Sequence, residues 1–252
     1  MRIGLCLSGG GARGSFHIGV IKALEENKIK PVIVSGTSAG ALIGSFYCSG
    51  LNSLDMISIA NSTKWYHFVV PHIPKTGLID LKFLEELLAT NIRINSFESL
   101  KIPLITTASN MEAGRIEYFH SGELFSRILA SCAVPLVFKP QILNKTTYLD
   151  GGIMMNLPVE IIKDKCDYII ASNLFPRQNI DGKSLISFGS IMSRVLDLSI
   201  YNNTANQIPK ADLLIESNEI NSYSRFKLSN SKKLIELGYN TALKAITESI
   251  LI

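Results

Sequence analysis

The sequence predicts an α/β fold, a three-layer α/β/α sandwich around a mostly parallel central sheet. Strand-like apolar runs alternate with segments of helical period, and several runs are continuous, as in strands buried on both faces. No low-complexity linker or internal repeat interrupts them, so residues 1–252 are expected to form one domain.

Arg2 to Ser8 is the first predicted strand. Its apolar stretch, Ile3 to Leu7, is too short for a signal-peptide core and runs straight into glycines. A helix over Ser15 to Asn27, a strand over Val32 to Ser35 and a helix over Ser38 to Cys48 follow. Asn61 to Pro74 has neither period and holds the single tryptophan, so it reads as a long, partly apolar loop. Within it, Trp65, Tyr66 and Phe68 suit either a lid or membrane-contacting lip, or an anchor of the loop to the core. A helix over Leu81 to Ala89 precedes a strand over Ile102 to Ala108. Weaker strands at Ile116 to Phe119, Pro140 to Leu143 and Thr146 to Leu149 surround a helix over Glu123 to Cys132. Pro158, favoured in a first helical turn, opens a helix to Lys163. A strand over Tyr168 to Ser172, a helix over Leu185 to Gln207, a strand over Asp212 to Ile215 and a helix over Ser231 to Ile250 complete the order.

Composition narrows the function classes. The chain is 46% hydrophobic and 18% charged, which suits a buried core and excludes disorder, collagen and coiled coil. Its net charge of +4, with no run of five or six like charges, gives no nucleic-acid footprint and only a weak pull toward anionic surfaces. Arg225, Lys227, Lys232, Lys233 and Lys244, against Glu236 and Glu248, suit a solvated helix surface better than a cationic face toward anionic lipid. No apolar stretch reaches 18 residues, so no spanning helix is expected; the expectation is a cytoplasmic protein with at most peripheral membrane contact. Cys6, Cys48, Cys132 and Cys166 are far apart, with no Cys-x-x-Cys and no histidine at ligand spacing. They read as buried thiols in a reducing compartment, with no metal and no other cofactor. Nothing in the sequence specifies an oligomeric state.

Chemistry concentrates at the strand-to-helix junctions. Gly9-Gly10-Gly11-Ala12-Arg13-Gly14 formally matches G-x-G-x-x-G. The second strand ends in Ser35-Gly36-Thr37-Ser38, not in the acidic residue that would hold a ribose, and Gly14 is followed by Ser15 and Phe16, not Lys-Ser/Thr. Dinucleotide and P-loop readings are therefore disfavoured. What remains is a set of backbone N–H groups converging at a helix start, where negative charge is stabilised. Gly36-Thr37-Ser38-Ala39-Gly40 is a G-x-S-x-G nucleophile elbow in the context that supports one, strand before and helix after. A histidine late in the chain cannot complete a triad, because none follows His120. His67 and His72 lie in the irregular loop and His120 at a strand end, so the base is sought among carboxylates. Asp150, ending an apolar run and followed by Gly151-Gly152, is the candidate.

Together the glycine loop, the Ser38 elbow and Asp150-Gly151-Gly152 resemble the patatin-like phospholipase family in order and spacing. Ala130 to Pro135 is similar to a fourth block of that family, Asn156-Leu157-Pro158-Val159 continues the pattern, and Lys210 to Ile215 with Leu234 to Gly238 looks like the end of compact bacterial members. The resemblance implies a patatin-like fold and a Ser38–Asp150 dyad. It implies an oxyanion hole in Gly9 to Gly14, with N–H donors around Gly10, Gly11 and Ala12, and Arg13 adding charge or bracing the loop. It further implies a lipid or acyl-ester substrate. The competing class is a lipid-binding module that kept the fold and lost turnover, which has no chemical need for all three motifs.

Overall fold

The strands at the centre of the sheet are apolar or small throughout because both faces are covered. Every residue of β2 (Ile33–Thr37), β3 (Leu104–Asn110) and β7 (Tyr168–Ser172) is buried, as are all but the first of β1 (Ile3–Leu7). The computed structural model describes residues 1–62, 79–225 and 228–249. The remaining strands are β4 (Arg115–Phe119), β5 (Gln141–Leu143), β6 (Thr146–Asp150) and β8 (Leu213–Ile215). The helices are α1 (Ser15–Glu26), α2 (Ala39–Ser49), α3 (Ser53–Ser62), α4 (Lys82–Asn91), α5 (Leu124–Ser131), α6 (Phe188–Ala205) and α7 (Ser231–Thr247).

Among the described residues the sheet has eight strands in the order β5-β6-β3-β2-β1-β7-β8, with β4 also on β3. The β3–β2–β1–β7–β8 block is parallel; β4 and β6 run antiparallel to β3, and β5 to β6. This is the mostly parallel α/β/α arrangement expected. The larger core cluster contains Leu5, Leu7, Phe16, Ile21 and Leu24, and a second holds Cys6, Ile33, Ile105, Leu157 and Ile162. Full burial of one such side chain stabilises by about 1.5–3 kcal/mol. All four cysteines are free and buried, and burial pushes the Cys6 thiol up to about 12.

α1 and α7 meet backbone to backbone. A Cβ built on Gly19 would stand 2.0 Å from Ile235 O, and one on Gly238 2.1 Å from Phe16 O. Only glycine permits that approach, and it clamps the helix that follows the glycine loop.

Three expectations are corrected. α3 is a helix where none was expected, and Asn61 and Ser62, read as the start of a loop, are its last residues. Its signal is a reciprocal cap: Asn52 Oδ1 accepts from Asp55 N–H and Asp55 Oδ2 from Asn52 N–H, both at 3.0 Å. The expected loop's remainder, including Trp65, His67, Phe68 and His72, lies outside the described residues apart from this helix end. The helix expected from Pro158 to Lys163 is instead a 3-10 segment over Glu160–Lys165. β2 runs on through Gly36 and Thr37, two residues past its expected end, because both stay in the ladder opposite Thr106 and Thr107.

Candidate active site

β3 brings the two candidate residues together. On one edge, β4 occupies Thr106 to Asn110. On the other, parallel β2 pairs as far as Thr37↔Thr107, and antiparallel β6 takes over from the next position, Ala108↔Asp150. β2 and β6 thus meet end to end, Ser38 just past one terminus and Asp150 at the other. Thr37 Oγ1 and Thr107 Oγ1 lie 2.7 Å apart at this junction, and Thr37 Oγ1 also donates to Met155 O at 2.9 Å.

Ser38 sits in the strained turn that the elbow pattern predicts, with φ 53° and ψ −119°, a region unfavourable for a side chain. It was expected to begin the helix; the helix begins at Ala39. Close packing dictates its small neighbours, since a Cβ on Gly36 would lie 2.5 Å from Gly40 O and one on Gly40 2.1 Å from Leu7 O. The Ser38 N–H donates to Ser131 Oγ at 2.8 Å.

Asp150 is 6% exposed and anchored on several sides. Its N–H donates to Ala133 O at 2.9 Å, its carbonyl accepts from Ser109 Oγ at 2.9 Å, and Oδ1 accepts from Gly152 N–H at 2.7 Å. Burial pushes the carboxyl up to about 6, while hydrogen bonds from Ser38 and Gly152 N–H pull it back. The segment Ala130 to Pro135 therefore supports both candidates, through Ser131 and Ala133. Sequence reasoning marked this block by resemblance but assigned it no role.

The glycine loop packs against the same point; a Cβ on Gly9 would come within 3.2 Å of Ser38 Cβ. Gly9 N–H donates to Asn156 O at 3.0 Å and Ala12 N–H to Arg225 O at 2.8 Å. Among the described residues, Gly10 and Gly11 N–H have no backbone acceptor, so of the three expected donors these two remain available while Ala12 is engaged. Gly11, at φ 58°, permits the turn. Arg13 is 6% exposed and braces the loop: Nε donates to Tyr223 O at 2.9 Å, and a terminal nitrogen reaches Leu174 O at 3.3 Å and Asn221 Oδ1 at 3.4 Å. Burial first, and repulsion from Arg225 second, lower its pKa to about 10, so it remains a cation at neutral pH.

Ser38 opens on two apolar cavities. One, of about 330 Å³, is also lined by Asp150, Gly9, Gly10, Gly11, Gly152 and Asn156, and is walled by Phe175, Leu196 and Ile200. The other, of about 170 Å³, runs between α1, α2, α3 and α4 past Leu42, Phe46, Met56 and Leu87. Asn156, 2% exposed, was not singled out as a site residue, yet its Nδ2 has no hydrogen-bond partner among the described residues.

His17, the histidine before Ser38, is fully buried. Its Nε2 lies 2.9 Å from Ser8 O and must donate, so Nδ1 accepts from Ser172 Oγ at 2.9 Å. Burial lowers its pKa to about 4, and it lines neither cavity. Arg225, expected on a solvated surface, instead pairs with the half-buried Asp197 at 2.8 Å beside both cavities. Lys227 lies outside the described residues.

A family model described as patatin-like phospholipase matches residues 5–163. An uncharacterised NTE family protein of Mycobacterium bovis is 32% identical over 178 residues, 69% of this chain and 49% of that protein. The neuropathy target esterase of Drosophila melanogaster is 30% identical over 200 residues, 76% of this chain and 14% of that protein. The chain thus spans half or less of the length of these relatives. The crystal structure of VipD from Legionella pneumophila has a similar fold, with a TM-score of 0.56 at 16% identity over 98% of this chain and 67% of that one.

Proposed function

Because the chain belongs to the patatin-like phospholipase family, we propose that it hydrolyses acyl esters of lipids through a Ser38–Asp150 dyad. The observation that carries this reading is the shared cleft: Ser38 and Asp150, where two strand ends abut, face one apolar cavity beside two backbone donors that have no backbone acceptor among the described residues.

The chemistry follows from those positions. Ser38 Oγ attacks the ester carbonyl carbon as its proton passes to Asp150. The carbonyl oxygen becomes an oxyanion, held by Gly10 and Gly11 N–H at the start of the helical segment. Collapse breaks the ester C–O bond, and the leaving alkoxide takes the proton from Asp150. Water then gives its proton to Asp150 and attacks the acyl-serine; the second collapse releases the fatty acid and returns the proton to Ser38. A carboxyl held near 6 is better matched to accepting a hydroxyl proton than one near 4, and it remains ionised at neutral pH. The narrower cavity between α1 and α4 suits an acyl chain, and the cavity holding Asp150 suits the leaving group and attacking water.

Hydrolysis of a lipid panel, followed by mass spectrometry for wild type and Ser38→Ala in parallel, tests the proposal. Free fatty acid released by wild type alone supports it, and equal release by both proteins overturns it.

A further inference from the structure

Helix α6 is amphipathic in the reverse sense to a soluble surface helix. From Phe188 to Leu198 its exposed residues are Phe188, Gly189, Ile191, Val195 and Leu198, with no charge among them. At 100° per residue the four large ones share a stripe about 80° wide. Phe188 is 77% exposed, and Ile186 just before the helix 86%. The helix's two charged residues turn inward: Asp197 pairs with Arg225, and Arg194 stacks on Tyr201 at 5.5 Å and donates to Gln178 O at 3.2 Å. On another face the same helix lines the Ser38–Asp150 cavity through Ser193, Leu196 and Ile200.

We infer that this apolar stripe is a docking surface for a phospholipid bilayer, with α6 lying between the membrane and the Asp150 cavity. The inference deepens the lipid-ester reading and rests on it: a substrate held in a bilayer must leave it to reach Ser38, and α6 borders both. Exposed Arg177 and Lys183 in the lead-in segment, against one acid, Asp181, suit contact with phosphate headgroups. A second copy of the chain is the poorer occupant, because five or six residues fall well short of the roughly 20–30 per side of a stable interface.

The test is flotation of the full chain, carrying Ser38→Ala to prevent turnover, with phosphatidylcholine vesicles. Adding Ile191→Ser, Val195→Ser and Leu198→Ser should reduce vesicle binding at least tenfold with unchanged circular dichroism. In an active background, the same changes should leave hydrolysis of a soluble short-chain ester intact. Should the triple variant fail to fold, Phe188→Ser replaces it, with at least a threefold loss expected. Failure of the parent to float, equal flotation of parent and folded variant, or a dimer that the substitutions dissociate would each overturn the inference. Because flotation is read without turnover, its outcome is independent of whether Ser38 is the nucleophile.

Discussion

Ser38, one residue past the end of β2, and Asp150, the last residue of β6, stand where the two strands abut on a single edge of β3, with Thr37 opposite Thr107 and Asp150 opposite the next residue, Ala108. A parallel strand and an antiparallel strand share one edge, so their termini converge. In the proposed dyad this convergence lets a short side chain serve, so an aspartate can take the position a histidine holds in a triad.

On the proposed dyad, burial of Asp150 ties activity to pH. With its carboxyl near 6, ester hydrolysis should fall about tenfold per pH unit below that value and level off above it. Stability should move in the opposite sense. A raised carboxyl pKa means the folded state holds the proton more tightly than the unfolded chain, so its contribution is full below about pH 4 and is lost as pH rises through 6. Asp150→Asn should therefore abolish turnover yet stabilise the protein at pH 8 by up to about 3 kcal/mol, with no gain at pH 4. Urea denaturation of both proteins at the two pH values checks it; the comparison cancels the opposite slope from His17, which stays neutral in the fold down to about 4.

Ser131 holds the strained elbow through its acceptor for the Ser38 N–H. Ser131→Ala leaves that buried donor unpaired, a cost of about 1–3 kcal/mol. Turnover should drop on the order of tenfold with little change in KM, because the nucleophile's position rather than the cavity is disturbed. Steady-state kinetics on a soluble ester read the split.

Asn156 brings to the cleft that holds Ser38 and Asp150 an amide Nδ2 with no partner among the described residues. A bound ester or the attacking water can satisfy it, so Asn156→Ala should lower kcat/KM by roughly tenfold to a hundredfold, about 1–3 kcal/mol. Asn156→Ser, which keeps a donor, should recover part of that loss. Equal values for all three proteins would remove Asn156 from the site.

The glycine clamp between α1 and α7 predicts a purely structural defect. Gly238→Ala pushes a methyl into Phe16 O and should cost about 1–3 kcal/mol or more, lowering Tm by several degrees in calorimetry. Labelling of Ser38 in the protein that remains folded should be unchanged.

The reach of the sequence followed the physics of each element. Buried strands such as Tyr168–Ser172 announce themselves as apolar runs, and the elbow is legible because Gly36 and Gly40 leave no room for a side chain. α3 was hidden because only Ser53, Met56 and Ala60 are buried, too sparse a stripe to show a period. Long-range partners left no local trace either. The engagement of Ala12 N–H by Arg225, 213 positions away, and the support of Ser38 by Ser131 exist only once the sheet has folded.

Reaction with a fluorophosphonate, mapped by peptide mass spectrometry, tests the nucleophile most directly. Wild type should carry one adduct, on the peptide containing Ser38, with the rate falling as pH drops below about 6. Ser38→Ala should carry none, and Asp150→Asn should react at least a hundredfold more slowly. An adduct on another residue, or undiminished labelling of Ser38→Ala, would contradict the dyad.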